Sequence, residues 1–191
     1  MIKIATILGT VRPGNYTSKA LQVVHDELRK SDVELIEIDP SKLNLSFPGA
    51  NIDSSDGEWI RETVSQATGV VISTPEYHGS FSSVVKLVIE NLGFPSTLSG
   101  KPVALLGVAG GQIGAIKSLE HLRSVCSHIG AIVLPGPVSI AGVRSVFDDE
   151  GKCLDEKVEK RIRDLAINLV DYIQSNLCPR IALEEMVRKT G

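Results

Sequence analysis

Cysteine is scarce in this sequence: Cys126, Cys153 and Cys178 are odd in number and lack Cys-x-x-Cys spacing. That pattern argues against a disulfide framework or a zinc-thiolate site, and the three are expected to be reduced, mostly packed thiols. Long apolar runs are missing too: nothing approaches a membrane span, and the opening "MIKIATILG" is too short for a signal peptide. A cytoplasmic protein with no membrane partner is the expectation. Basic charge is not in excess, since 20 Lys and Arg against 23 Asp and Glu leave a formal net charge of -3. The balance gives no general attraction to nucleic acid. His25, His78, His121 and His128 show no metal-ligand spacing, so no metal is expected.

What is present is alternation. The 191 residues are 42% hydrophobic and 23% charged, as in a soluble domain with a real core. Strand-like runs occupy 2–8, 33–38, 69–74, 102–108 and 131–134; the first, third and fourth are almost wholly apolar, as strands covered on both faces are. Helical patterns fall at 15–30, 55–67, 81–91, 112–129 and 154–176, the last with an apolar stripe through Val158, Ile162, Leu165, Leu169 and Ile173. Strands alternating with helices imply an α/β fold: one parallel sheet with helices on both faces, joined by right-handed crossovers. Residues 1–178 read as one domain, and 179–191, restarting after Pro179, as a helical extension of it.

Ligands bind such sheets beyond the carboxyl ends of the strands, at the switch point. Three loops lie there. "GTVRPGNYTSKA" (Gly9 to Ala20) fails the Walker A pattern because Asn15 and Tyr16 replace its Lys and hydroxyl. It fails the dinucleotide fingerprint because Val11 holds the second glycine position. What remains suits a terminal phosphate monoester: the Arg12 guanidinium, the Thr10, Thr17 and Ser18 hydroxyls, and N–H groups opening a helix. An ordinary strand-to-helix turn, with Asn15 as N-cap and Arg12 in solvent, accounts for the loop equally well. Asp39 could meet a ribose hydroxyl but reads more simply as a turn or cap residue. The second loop, "TPEYHGSFSS", offers Tyr77 for a planar polar ligand and backbone groups for its edge, with His78 as a cap or solvent residue. The third, "GVAGGQIGA", removes side chains at Gly110, Gly111 and Gly114, where backbone can approach a flat ligand.

Taken in order, "GTVRPGNYTSKA", "TPEYHGSFSSVVK" and "GKPVALLGVAGGQIGA" make the chain resemble the NADPH-dependent FMN reductases. These are flavodoxin-like proteins that include quinone, azo-dye and chromate reductases. "LR" at Leu122–Arg123 followed by "GAIVLP" fits as well, and coverage runs from Ile2 to about Tyr172. The resemblance implies a five-stranded parallel sheet ordered 2-1-3-4-5, one FMN per subunit, and tetramers built from pairs of dimers with Tyr77 and Lys86 near the seam. By position, Thr10, Arg12, Thr17 and Ser18 would hold the FMN phosphate. Pro75, Glu76, Tyr77, His78 and Gly79 would line the ribityl chain and ring edge, and Ala109, Gly110, Gly111 and Gln112 would lie beside the ring. The chain departs from the family at His78, where Asn is usual, at Leu87 for Asn, and at Glu90–Asn91 for Asp–Trp.

The implied activity is hydride transfer from NADPH or NADH, through the flavin, to a small-molecule acceptor: a quinone, an azo compound, an oxyanion or free flavin. The flavin carries that chemistry, so no catalytic side chain is required. Two other classes fit parts of the sequence. One is a flavodoxin-like electron-transfer protein without NAD(P)H activity, for which a net charge of -3 is mild. The other is a flavin-free nucleotide-binding module using Asp39.

Overall fold

The continuous apolar runs become the inner strands of one sheet. The computed structural model describes residues 1–50 and 55–190, so Gly191 of the expected extension lies outside the described residues. Strands Ile2–Leu8 (β1), Val33–Ile38 (β2), Gly69–Tyr77 (β3) and Pro102–Val108 (β5) pair in parallel, in the order β2-β1-β3-β5. Ser80–Phe81 (β4) folds back antiparallel on the end of β3. The far edge is made by Ile132–Val133 (β6) and Val138–Ile140 (β7), both parallel to β5. All seven residues of β5 are buried, which only a strand covered on both faces achieves.

Helices Tyr16–Leu28 (α1) and Glu156–Tyr172 (α5) cover one face. Ala20, Leu21, Val24 and Leu28 meet Ile162, Leu165, Ala166 and Leu169 there. Ser55–Gln66 (α2), Ser83–Asn91 (α3) and Ile116–His128 (α4) cover the other through Ile60, Val64, Val85, Val88, Leu119 and Leu122. Each Val, Leu or Ile among them, fully buried, contributes about 1.5–3 kcal/mol. Cys178–Thr190 (α6) continues α5 through a π turn at Ile173–Leu177.

The expected sheet order holds, with four local corrections. The fifth strand is two short pieces, because Pro135 and Pro137 interrupt it and cannot donate to the ladder. β3 runs on to Tyr77 and turns into β4 through His78 and Gly79, at φ 51° and 73°. The α4 helix begins at Ile116 rather than 112, since Gly114 sits at φ 79°. Finally, the helix of the tail begins at Cys178, before Pro179; a proline in a first turn removes an N–H that has no helical partner.

Candidate cofactor site

Three loops leave the carboxyl ends of β1, β3 and β5, and buried hydroxyls tie their bases together. Ser73 Oγ donates to the Ile7 carbonyl at 2.9 Å. Thr74 Oγ1 accepts from the Ser82 N–H at 3.1 Å and donates to the Pro75 carbonyl at 2.9 Å. Ser82 Oγ in turn donates to the Gly9 carbonyl and caps α3 by accepting from the Val85 N–H. The first and second loops are therefore fixed to one another before either meets a ligand.

In the first loop Asn15 is the N-cap of α1: its Oδ1 accepts from the Ser18 N–H at 2.7 Å, and its amide donates to the Arg12 carbonyl at 2.6 Å. Two of the expected phosphate hydroxyls already serve the loop. Thr10 Oγ1, 2% exposed, accepts from the Arg12 N–H at 3.3 Å, and Ser18 Oγ donates to the Asn15 carbonyl at 2.8 Å. Arg12 is exposed, and its guanidinium lies over the Tyr77 ring, 4.8 Å from the centroid. No acid stands in the first turn of α1, so its N-terminal partial charge is not countered there.

The second and third loops are joined by Glu76. Its Oε2 accepts from the Ser118 N–H at 3.1 Å in the first turn of α4, whose own cap, Ala115, contributes no side-chain bond. His78 is exposed at its left-handed turn position, where Asn and His are the tolerated non-glycine residues, so the departure from Asn is conformationally conservative. The third loop is held by β7 and the residues after it. Ala109 N–H donates to the Ile140 carbonyl at 2.9 Å, Val143 N–H to Ala109 at 3.1 Å, and Gly142 N–H to Gly111 at 3.0 Å. Gly110 is left bare: a Cβ added there would meet nothing within 4 Å.

Between these loops is a cleft of about 260 Å³. Of the expected site residues it brings together Arg12, Thr17, Pro75, Glu76, Tyr77 and Gly110. Thr10, Ser18, His78, Gly79, Ala109, Gly111 and Gln112 are not among its lining residues; they build the loops that form it. Tyr16, Val143 and Arg144 line it without having been expected. The donor set fits FMN. A guanidinium and an uncountered helix N-terminus suit a phosphate monoester, and a bare glycine backbone suits a flat ring.

The remaining departures from the family pattern have local roles. Glu90 pairs with Lys86 one helical turn back, and the Asn91 amide donates to the Ser46 and Leu87 carbonyls, both at 2.9 Å. Asp39 is the cap residue: it accepts from the Ser41 N–H at 3.0 Å. Burial opposes its charge, but the bonds from Ser41 and Lys42 prevail and hold its carboxyl below the usual value. A second cavity of about 250 Å³ lies beside it, lined by Ser18, His25, Glu37 and Trp59 among others. Cys126 and Cys153 are buried as expected, whereas Cys178 is exposed, because α6 extends away from the core. No group of side chains able to hold a metal ion occurs among the described residues, and none of their helices is long and apolar enough to cross a membrane.

Comparison with known proteins bears on the family and the fold. The NAD(P)H-dependent FMN reductase of Pseudomonas aeruginosa is 32% identical over 172 residues, covering 85% of this chain and 90% of that one. A 2-hydroxy-1,4-benzoquinone reductase of Burkholderia sp. is 28% identical, over 85% of this chain and 91% of its own. Among solved structures, the flavoenzyme NAD(P)H:(acceptor) oxidoreductase FerB of Paracoccus denitrificans superposes with a TM-score of 0.77 at 21% identity, covering 92% of this chain and 98% of that one. The flavodoxin-like fold is shared accordingly. The profile of the NADPH-dependent FMN reductases matches residues 2–144, and the chain belongs to that family.

Proposed function

We propose that the protein is an FMN-dependent NAD(P)H oxidoreductase whose acceptors are quinones or similar small electron acceptors. One observation carries the reading: a single cleft joins an uncountered helix N-terminus and Arg12 to Tyr77 and the bare backbone of Gly110. FMN, when bound, supplies the ring that accepts a hydride from NAD(P)H and passes two electrons onward. Arg12, Thr17 and the first-turn N–H groups of α1 would hold its phosphate, with Thr10 and Ser18 shaping that loop from behind. Pro75, Glu76 and Tyr77, on the turn made by His78 and Gly79, would border the ribityl chain and ring edge. Ala109, Gly110, Gly111 and Gln112 would lie beside the ring. The relatives that act on quinone and flavin acceptors support the substrate class.

The reading also includes a homo-oligomer, a tetramer by resemblance, and a cytoplasmic setting, with which three unpaired cysteines agree. The fully exposed Phe94, beside a groove that Lys86, Glu90 and Val125 line, supports a subunit contact on the α3–α4 side. Light scattering after size exclusion is expected to give a mass above one chain.

Flavin released by heat and identified by chromatography is expected to be FMN, and anaerobic NADPH is expected to bleach the yellow protein. Release of FAD would overturn the cofactor, and failure to bleach would point to a flavodoxin-like carrier instead.

A further inference from the structure

We propose that Arg144 is a second guanidinium of the flavin phosphate site, completing a clamp with Arg12 across the N-terminus of α1; the inference rests on the FMN reading above.

Arg144 belongs to a short 3-10 turn, Val143–Ser145, that follows β7. Backbone bonds from Gly142 to Gly111 and from Val143 to Ala109, at 3.0 and 3.1 Å, fasten that turn to the third loop. Arg144 thereby lines the cleft that also holds Arg12, Tyr16 and Thr17. The position is fixed by backbone contacts, while the side chain stands exposed.

Charge supplies the argument for a ligand. The cleft has two arginines and one acid, Glu76, and that acid is turned to the Ser118 N–H. Among the described residues neither Arg12 nor Arg144 forms an ion pair. Lys19, the other cation at this end of α1, is directed elsewhere: its Nζ donates to the Asp148 carbonyl at 2.6 Å and lies over the Tyr16 ring. A phosphate monoester carries about -1.5 to -2 charges at neutral pH, and a helix N-terminus offsets roughly half a charge. Arg12 offsets one more. The remainder of up to about half a charge, and the phosphate oxygens that Arg12 leaves free, call for a second donor, and Arg144 is the remaining cation in the cleft.

The test is a fluorescence titration of apoprotein with FMN and with riboflavin, which lacks the phosphate, for wild type, Arg144→Gln and Arg144→Lys. Arg144→Gln is expected to weaken FMN about ten- to a hundredfold, the range of a charge-assisted bond, and to leave riboflavin within about twofold. Arg144→Lys is expected to recover part of the loss, because it keeps the charge but not the fork. Unchanged FMN affinity in Arg144→Gln overturns the proposal; if the KM for NADPH rises instead, the guanidinium serves the phosphates of the donor. Equal weakening of both flavins also overturns it, since Arg144 would then act through the third loop. A wild-type apoprotein that binds neither flavin would refute the FMN reading itself, and the clamp with it.

Discussion

Two glycines in the loops allow the fold and the cofactor site to be perturbed separately. At Gly9 an added Cβ would stand 2.1 Å from the Ser73 carbonyl oxygen, 2.6 Å from Val85 Cγ2 and 3.0 Å from Thr74 Cα. Two of those three atoms are backbone of β3, and Ser73 is 0% exposed in the middle of the sheet. The obstruction cannot rotate away as a long side chain would, so β1 must shift against β3. Overpacking costs typically 1–3 kcal/mol, and a backbone collision belongs at or above the upper end. The 0.4–1 kcal/mol that a Gly→Ala change gains through the unfolded chain is outweighed. At roughly 2–4 °C per kcal/mol for a chain of this size, about 3 kcal/mol lowers Tm by roughly 6–12 °C. Gly110→Ala is the counterpart, because its Cβ meets no protein atom within 4 Å and its φ is not positive. Its melting point is expected to stay within a few degrees of wild type, while FMN affinity is expected to fall about tenfold if the ring rests on the bare Gly110 backbone. Calorimetry and flavin titration on both variants read the two effects. The reasoning fails if Gly9→Ala melts with wild type, or if Gly110→Ala keeps full FMN affinity.

Other outcomes follow from the same contacts. Arg12→Ala is expected to weaken FMN about ten- to a hundredfold and to leave riboflavin nearly unaffected in the same titration; equal FMN affinity would return Arg12 to solvent. Ser82→Ala leaves the Gly9 carbonyl and the Val85 N–H without their buried partner, at a cost of about 1–3 kcal/mol in a urea melt, and weakens both flavins alike because the whole first loop loosens. Burial lowers the His25 pKa, only partly opposed by Glu37, so the unfolded chain takes up its proton first. That contribution to stability is complete above the ordinary value of about 6.5 and is lost as pH falls through the lower folded value; a His25→Gln chain should show a flatter dependence of urea midpoint on pH. Burial pushes the Cys126 thiol up to about 12, whereas Cys178 is exposed, so peptide mapping after brief alkylation should find label at Cys178 and none at Cys126.

How legible each feature was in the sequence depends on what fixes it. β1, β3 and β5 are buried on both faces, and burial of that kind writes a continuous apolar run that composition reveals. The edge strand is held in two pieces by short pairings on either side of Leu134–Pro137, so its second half, Val138–Ile140, has too few residues for a pattern. The hairpin at Tyr77–Ser80 escaped because its turn uses His78 in a conformation that most residues avoid. Within the site, Arg12, Thr17, Tyr77 and Gly110 could be placed together because the rule of strand ends brings their loops to one edge. Arg144 could not. It follows a three-residue strand, and only non-local backbone bonds to Ala109 and Gly111 carry it to the cleft.

The same contrast runs through the cleft itself. Flavin chemistry asks the protein for position, and position here comes from groups whose bonds run to the backbone of the loops. Ser73, Thr74 and Ser82 are buried polar residues whose bonds run to the backbone of the loops, and Glu76 locks the second loop to the first turn of α4. Each bond leaves a buried donor or acceptor unpaired if its partner shifts, so the three loops hold one geometry together or lose it together. Others that line the cleft are different in kind: an exposed Arg12 stacked on Tyr77, an exposed Arg144, and a glycine. On the proposed reading, binding falls to side chains free to close on a phosphate, and alignment to a scaffold that a bound ring does not need to reorganise. On the FMN reading proposed above, a site divided in this way would align the flavin through its loops and leave the rest of the cleft to the second substrate.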